Sequence, residues 1–408
     1  MDNIFQDFTA ESELFKDKEV LHPTYDSTYL PHRTKQIKTL AAALSPALKG
    51  EKPSNVFIHG GQGIGKTATV KYVCMELEAM CKKISRKCTI IYINGEIFDT
   101  QYRVFAYLAR VFNKRVPMIG WPTDMVYSEF KAAIDNEERC VIVIVDDADK
   151  LANKGDEALC ILSRVNSELT NAKLSVVCIS GDSAFMELQE PEVRLALCEK
   201  EILFLPYDTY QLIDILEDRA KKAFNVSQLG DAVIPLCAEF AVQEQGDVRY
   251  ALDLLRVAAE IADRTKSKKL TQEHVRLAKE QIEEHWIAEV VNTLPLQSKI
   301  LLNAIIILIK ATAKRYLFSG EVYATYKKIC AELSMEALTQ RRVTDLISEL
   351  DSLGLLTAKV INRGRYGRTK EISLIVPVES IQLALTGETT LEPAASIKVE
   401  SESGIVWG

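Results

Sequence analysis

Residues 56–67 read Val-Phe-Ile-His-Gly-Gly-Gln-Gly-Ile-Gly-Lys-Thr, and no other stretch restricts the fold so tightly. Three apolar residues suited to a buried strand run into a Gly-x-x-x-x-Gly-Lys-Thr pattern that ends at Thr67, and residues 68–80 continue with helical spacing. A strand, a glycine loop and a helix in that order turn backbone N–H groups and a helix N-terminus toward negative charge. The pattern predicts a phosphate-binding loop. Gly63, Ile64 and Gly65 would wrap the phosphate chain, Lys66 would reach the β- and γ-phosphates, and the Thr67 hydroxyl would hold Mg2+. A plain glycine turn before a helix is the competing reading, and the complete motif in its strand–loop–helix setting outweighs it.

The sequence that follows supplies what such a loop requires. Continuously apolar runs at 88–93, 141–145 and 174–180 alternate with helical stretches, giving the order β–loop–α–β–α–β–α–β. Strands without polar alternation predict a parallel sheet covered by helices on both faces. An amphipathic helix over 34–48 precedes the loop strand. The apolar run before Asp146 places its carboxylate at the carboxyl end of a strand beside the loop, where a Mg2+-holding acid belongs. Asp147 is then placed to polarise an attacking water. From 207 to 290 helical periodicity takes over, at 211–224, 231–243, 248–262 and 271–289, which reads as a helical lid. Arg249 opens the third of these stretches and is directed by that position toward a γ-phosphate, against the default of a solvated arginine.

Pro295 marks a further boundary, and 296–378 reads helix, helix, helix, strand, turn, strand. Its third helix, capped by Thr339, turns Leu346, Ile347 and Leu350 inward and projects Gln340, Arg341, Arg342 and Thr344 from its first turns. That is the layout of a helix whose N-terminal residues meet base edges in a major groove of double-stranded DNA. Arg363, Arg365, Arg368 and Lys370 surround Tyr366 on the hairpin that follows. The chain as a whole is acidic, with net charge −7, yet residues 290–385 hold thirteen Lys and Arg against eight Asp and Glu. A basic patch in an acidic chain is the footprint of a local nucleic-acid surface. The expected organisation is a loose 1–14, a nucleotide-binding domain at 15–206, a lid at 207–293, a DNA-binding domain at 294–385 and a flexible acidic tail at 386–408.

Nine cysteines without a C-x-x-C pair predict reduced core thiols in place of a disulfide frame or zinc site. The acidic start has no signal-peptide core, and the longest apolar run, at 300–309, is too short to cross a bilayer. The expected location is cytoplasmic, beside the nucleoid and off the membrane.

Together these residues resemble the archaeal replication initiators of the origin-recognition-complex and cell-division-cycle (ORC/CDC) type, a branch of the AAA+ ATPases. The likeness spans about 15–376. It includes Leu-Pro-His-Arg at 30–33, Ser-Pro-Ala-Leu-Lys at 45–49, Val-Asn-Ser-Glu-Leu at 165–169, Pro-Tyr at 206–207 and Ile-Pro-Leu-Cys at 234–237. More specific still are Leu-Pro-Leu-Gln-Ser-Lys at 294–299, Leu-Thr-Gln-Arg-Arg-Val at 338–343 and Gly-Arg-Tyr-Gly-Arg-Thr-Lys-Glu-Ile at 364–372. The resemblance implies an α/β P-loop AAA+ domain, a helical lid and a C-terminal winged-helix domain. It implies ATP or ADP with Mg2+ between the first two, contacted by Tyr207 and Arg219 and sensed by Arg249. It implies origin DNA held by the winged helix and by an insertion near 97–115, with initiator paralogues and a replicative helicase as protein partners.

Three positions depart from the family's pattern. Asp147 replaces the usual Glu, Gly181 replaces the Asn that orients the attacking water, and Glu192 stands where an arginine can act on a neighbour's nucleotide, with Arg194 as a substitute. These departures imply intact binding with slow hydrolysis. A fully active helicase loader, a nucleotide-binding transcription regulator and a mobile-element ATPase remain as alternatives.

Overall fold

Runs of aliphatic residues without polar alternation must be buried on both sides, and five strands obey that constraint to different degrees. They are β1 (Val56–His59), β2 (Cys88–Asn94), β3 (Cys140–Asp146), β4 (Lys173–Ser180) and β5 (Lys200–Leu203). All pair in parallel, in the order β2-β3-β4-β1-β5. Every residue of β3 from Cys140 to Val145 is buried, which requires cover on both faces. The computed structural model describes residues 14–386 apart from 24, 26–28, 99, 118, 226–227, 313 and 363–367, with backbone alone at 152–157. The chain divides into two compact units, Met1–Ala278 and Lys279–Gly408.

In the first unit α1 (Thr34–Leu44), α2 (Lys66–Lys83), α3 (Gln101–Val111), α4 (Thr123–Ile134), α5 (Ala148–Arg164) and α6 (Pro191–Leu197) accompany the sheet. Three details differ from the sequence reading. β5 was not anticipated, because as an edge strand it buries only Ile202 while Lys200, Glu201 and Leu203 face solvent. Two helices, not one, join β2 to β3, separated by a segment holding Pro117 and Pro122. Phe130 of α4 packs on Phe105 of α3 with ring centroids 5.9 Å apart. The first helix stops at Leu44 and continues as a 3-10 turn, Ser45–Lys49, since Pro46 has no N–H for the Ala42 carbonyl. The Ser45 hydroxyl donates to that carbonyl instead, at 3.0 Å.

The lid comprises α7 (Thr209–Ala223), α8 (Val233–Gln243) and α9 (Val248–Arg264), followed by α10 (Gln272–Thr293). An Asp208–Gln211 capping box starts α7, so the chain leaves the sheet at a defined point. The N-terminal segment is fixed to the lid as well. Val20 and Leu21 are buried, Phe15 packs on Phe224 at 5.2 Å, and Lys16 N donates to Ala223 O at 2.8 Å.

The division between units falls inside α10, and Ile287 and Val291 of that helix belong to the second unit's core. This unit adds α11 (Leu296–Thr312), β6 (Leu317–Phe318), α12 (Ser319–Glu332), α13 (Gln340–Ser352), β7 (Leu356–Asn362), β8 (Arg368–Leu374) and α14 (Val378–Leu385). Its antiparallel sheet runs β6-β8-β7. The two-residue β6 and the terminal α14 are too short to carry a periodic signal. The apolar run at 300–309 is the buried body of α11, and no helix among the described residues is long and apolar enough to cross a membrane. All nine cysteines are free.

Asn55, 1% exposed, anchors the entry to β1. Its side chain accepts from Val176 N and donates to Ala196 O, both at 2.8 Å. Asn55→Ala leaves the Val176 N–H buried and unpaired, and should lower stability in urea by about 1–3 kcal/mol. An unchanged unfolding midpoint would show that β1 is anchored by its apolar contacts alone.

Candidate functional site

The carboxyl ends of β1, β4 and β3 lie side by side, with Ile58 opposite Ile179, His59 opposite Ser180 and Cys178 opposite Val145. The loop after β1, Gly181 after β4 and Asp146 at the end of β3 therefore converge by register alone. They line a cleft of about 1110 Å³, together with Lys66, Thr67, Asp147, Tyr207, Arg219 and Arg249. Thr67 Oγ1 donates to Asp146 Oδ1 at 3.1 Å, bringing a hydroxyl and a carboxylate together at one point. Lys66 Nζ bends over its own loop and donates to Gly60 O at 2.8 Å and Gly61 O at 2.5 Å. Burial lowers the Lys66 pKa, partly offset by Asp146, while Arg249 is near enough to lower it further. Asp147 takes a left-handed backbone, φ 52°, ψ 48°, at the start of α5. Its carboxyl pKa is raised, first by burial and then by Asp146, Glu96 and Asp149.

A glycine loop of this kind has many conformations, and one buried arginine restricts it from within. Arg33, 3% exposed, donates from Nη2 to Ile64 O at 2.8 Å and to Leu205 O at 2.9 Å. Its Nε donates to Tyr207 OH at 2.9 Å, and the guanidinium lies 3.8 Å from the centre of the Tyr207 ring. Gly65 adopts φ +87°, and a Cβ there would come within 3.0 Å of the Tyr207 hydroxyl. Tyr207 thus touches the loop from below while its hydroxyl is engaged by Arg33. Sequence reasoning passed over Arg33 as a site residue, although Leu-Pro-His-Arg was the available signal.

The lid grips the same loop from the other side. Val248 N donates to Gly63 O at 3.1 Å, and Asp247 Oδ1 caps α9 by accepting from Arg249 N at 2.7 Å. Gly63 has φ +64°, and a Cβ there would fall 1.7 Å from Asp247 Oδ1, so only glycine fits. The Arg249 side chain is 54% exposed, with Nη2 3.5 Å from Asp247 Oδ2. Arg219 lines the cleft at the far end of the lid, where Nη1 donates to Val20 O at 3.0 Å and the guanidinium covers the Tyr25 ring at 4.6 Å.

In the second unit α13 buries Val343, Leu346, Ile347 and Leu350, and leaves Gln340, Arg341 and Arg342 exposed in its first turn. Thr344 is half-buried, and its hydroxyl donates back to Gln340 O at 2.8 Å. Lys370 lies against the same helix, with Nζ donating to Thr344 O at 3.1 Å and to Ser348 Oγ at 2.5 Å. Arg368 is exposed at the start of β8, while Arg363, Arg365 and Tyr366 lie outside the described residues.

Comparison with known proteins accounts for both units. Residues 29–177 match the AAA ATPase domain, 213–280 the Cdc6 AAA+ ATPase-type lid domain and 289–384 the CDC6 C-terminal winged helix domain. The ORC1-type DNA replication protein 1 of Methanosarcina mazei is 49% identical over 399 residues, covering 98% of this chain and 96% of that protein. The ORC1-type DNA replication protein of Pyrococcus furiosus is 48% identical over 407 residues, covering 98% and 97%. This chain belongs to the ORC1-type DNA replication proteins. Among solved structures, the Aeropyrum pernix ORC1 protein in complex with DNA superposes with a TM-score of 0.84 at 39% identity, over 94% of this chain and 99% of that one. Cdc6p of Pyrobaculum aerophilum, at 23% identity and a TM-score of 0.58, shares the fold.

Two of the three departures from the ORC/CDC pattern have a visible local setting. A Cβ on Gly181 would meet only Gln62 Cγ, at 4.0 Å, so space remains where the family carries Asn. Glu192 is held by Arg164 at 2.6 Å, and Arg194 is exposed two residues further along α6.

For an ORC1-type protein held together in this way, Arg33→Lys should weaken ATP binding about tenfold or more while leaving the circular dichroism spectrum unchanged. An ammonium cannot reach the Ile64 and Leu205 carbonyls and the Tyr207 hydroxyl together as the planar fork does. Titration with a fluorescent ATP analogue checks this, and wild-type affinity in the variant would contradict it.

Proposed function

We propose that this chain is an initiator of DNA replication that holds ATP or ADP in the first unit, binds duplex origin DNA through the winged helix of the second, and hydrolyses ATP slowly. The observation that carries the DNA-binding reading is the first turn of α13. There Gln340, Arg341 and Arg342 are presented to solvent while four apolar residues fix the helix from behind. A helix so anchored can enter a major groove without reorganising, and arginine is the side chain that pairs bidentately with guanine. The DNA complex of the Aeropyrum pernix relative supports the same reading. Thr344 and Lys370 fit a supporting role, since their polar groups are already engaged on α13. Arg363, Arg365, Tyr366 and Arg368 belong to the wing in this reading. Other initiator proteins and a replicative helicase are the protein partners.

At the nucleotide, Lys66 and Arg249 supply positive charge to the phosphates, while Tyr207 and Arg219 hold the loop and the base end. Thr67 Oγ1 and Asp146 Oδ1, 3.1 Å apart, are hard oxygen donors of the kind Mg2+ takes while keeping several waters. The ion, when bound, would neutralise charge on the β- and γ-phosphates. Asp147 is the carboxylate placed to polarise the water. Its side chain is one methylene shorter than Glu, and Gly181 contributes no side-chain carboxamide, so binding persists while the attack is poorly organised.

Two measurements test these readings. In fluorescence anisotropy with origin duplex against scrambled duplex, Arg341→Ala and Arg342→Ala should each remove about 1–3 kcal/mol of discrimination. Arg368→Ala should instead weaken both duplexes alike and reduce the salt slope by about one. Equal losses on both duplexes for the α13 variants would remove the recognition-helix assignment. In single-turnover hydrolysis the wild type should be slow, and Asp147→Glu combined with Gly181→Asn should accelerate it about tenfold or more. A wild type that already hydrolyses at a rate the double change does not improve would identify an ordinary switching ATPase.

A further inference from the structure

We propose that the Gln62 carboxamide orients the water that attacks the terminal phosphate, in the place left open by Gly181. This rests on the reading that the first unit binds ATP and turns it over slowly. Gln62 is the third residue of the loop, immediately after the two glycines whose carbonyls bind Lys66 Nζ. It lines the same cleft as Lys66, Asp147 and Gly181, and its place in the loop puts it next to the carbonyls that hold the lysine ammonium.

A Cβ on Gly181 would lie 4.0 Å from Gln62 Cγ, which is ordinary van der Waals contact. An asparagine at 181 and the glutamine at 62 would thus be neighbours bordering the same part of the cleft. With glycine at 181, Gln62 is the carboxamide that borders that space.

Three of the polar side chains around this point have partners. Thr67 is bonded to Asp146, Ser180 Oγ donates to Asp149 Oδ1 at 2.8 Å, and Asp182 Oδ1 accepts from Ala184 N at 2.8 Å. Gln62 is exposed, and its carboxamide makes no hydrogen bond among the described residues. A carboxamide offers a donor and an acceptor on one group, which suits it to hold a water and a phosphate oxygen together, as glutamine does in other nucleotide hydrolases.

In the step itself the water oxygen forms a bond to the γ-phosphorus while the bond to the bridging oxygen breaks, its electron pair leaving with ADP. The water proton passes to Asp147 and then to the departing inorganic phosphate. Gln62 stays chemically unchanged. Because it extends from a glycine loop rather than from the rigid end of β4, it is held less firmly than an asparagine at 181, which accounts for turnover that is slow but above zero.

The test compares wild type, Gln62→Ala, and Gln62→Ala combined with Gly181→Asn in the full chain. ATP affinity, single-turnover rate and affinity for ADP with aluminium fluoride, which mimics the transferring phosphoryl group, are measured for each. We expect Gln62→Ala to keep ATP affinity within about twofold, and to lower both the rate and the aluminium fluoride affinity about tenfold or more. The added Asn should restore both. An unchanged rate and aluminium fluoride affinity in Gln62→Ala would overturn the proposal, as would an equal loss of ATP affinity or a wild-type rate no higher than background. A wild type that binds no ATP would instead remove the nucleotide reading on which the proposal stands.

Discussion

A phosphate loop works only if its backbone is already in place, and in this protein that constraint is met by a buried arginine. Arg33 reaches up from the N-terminal side of α1 to the Ile64 carbonyl, and reaches across to Leu205 and Tyr207 where the chain leaves the sheet for the lid. Burial disfavours its charge and lowers its pKa, with Tyr207 working in the opposite direction. A guanidinium stays protonated regardless, so it must be surrounded by acceptors or it would destabilise the fold. The loop supplies one of those acceptors. Order in the loop and satisfaction of Arg33 are therefore one requirement, and the residues at 30–33, 60–67 and 203–207 are tied to each other through it.

The lid completes this arrangement through Asp247. Its carboxylate caps α9 and occupies the space beside Gly63, so the helix start and the loop fit only with glycine at 63. Arg249 is two residues further on, and the same Asp247 that caps the helix also faces its guanidinium at 3.5 Å. This explains why the cleft gathers side chains from distant parts of the sequence. Each is aimed by a backbone feature close to it: a strand end for Asp146, a left-handed residue for Asp147, a helix cap for Arg249.

Much of this was legible in the sequence because the signals were local. The loop, the strand ending in Asp146, the helical lid and the amphipathic α13 each announce themselves within a dozen residues. What escaped depends on tertiary contacts. β5 lacks an apolar run because it is an edge, and its strand character comes from β1 beside it. Arg33 looks like any polar residue before a helix until Ile64, Leu205 and Tyr207 close around it. Lys370 reads as a hairpin charge, but pairing of β8 with β7 and β6 lays it on α13, where it bonds to Ser348 and Thr344. Identity and charge could be read at that position, whereas its bonding partners could not.

Holding a nucleotide and hydrolysing it make different demands on this architecture. In the proposed reading, binding uses the N–H groups of a loop braced by Arg33 and Asp247, a lysine held on the Gly60 and Gly61 carbonyls, and the Thr67–Asp146 oxygen pair. Hydrolysis adds a water that must be held in line with the phosphorus, and a misplacement of about 1 Å can cost a hundredfold in rate. At that point the chain has a shorter acid at 147, no side chain at 181 and a carboxamide on a loop at 62. The groups with fixed partners are those suited to binding, whereas the water-positioning role proposed for Gln62 falls to an exposed side chain. On the proposed reading, such a site would hold its nucleotide more readily than it would convert it.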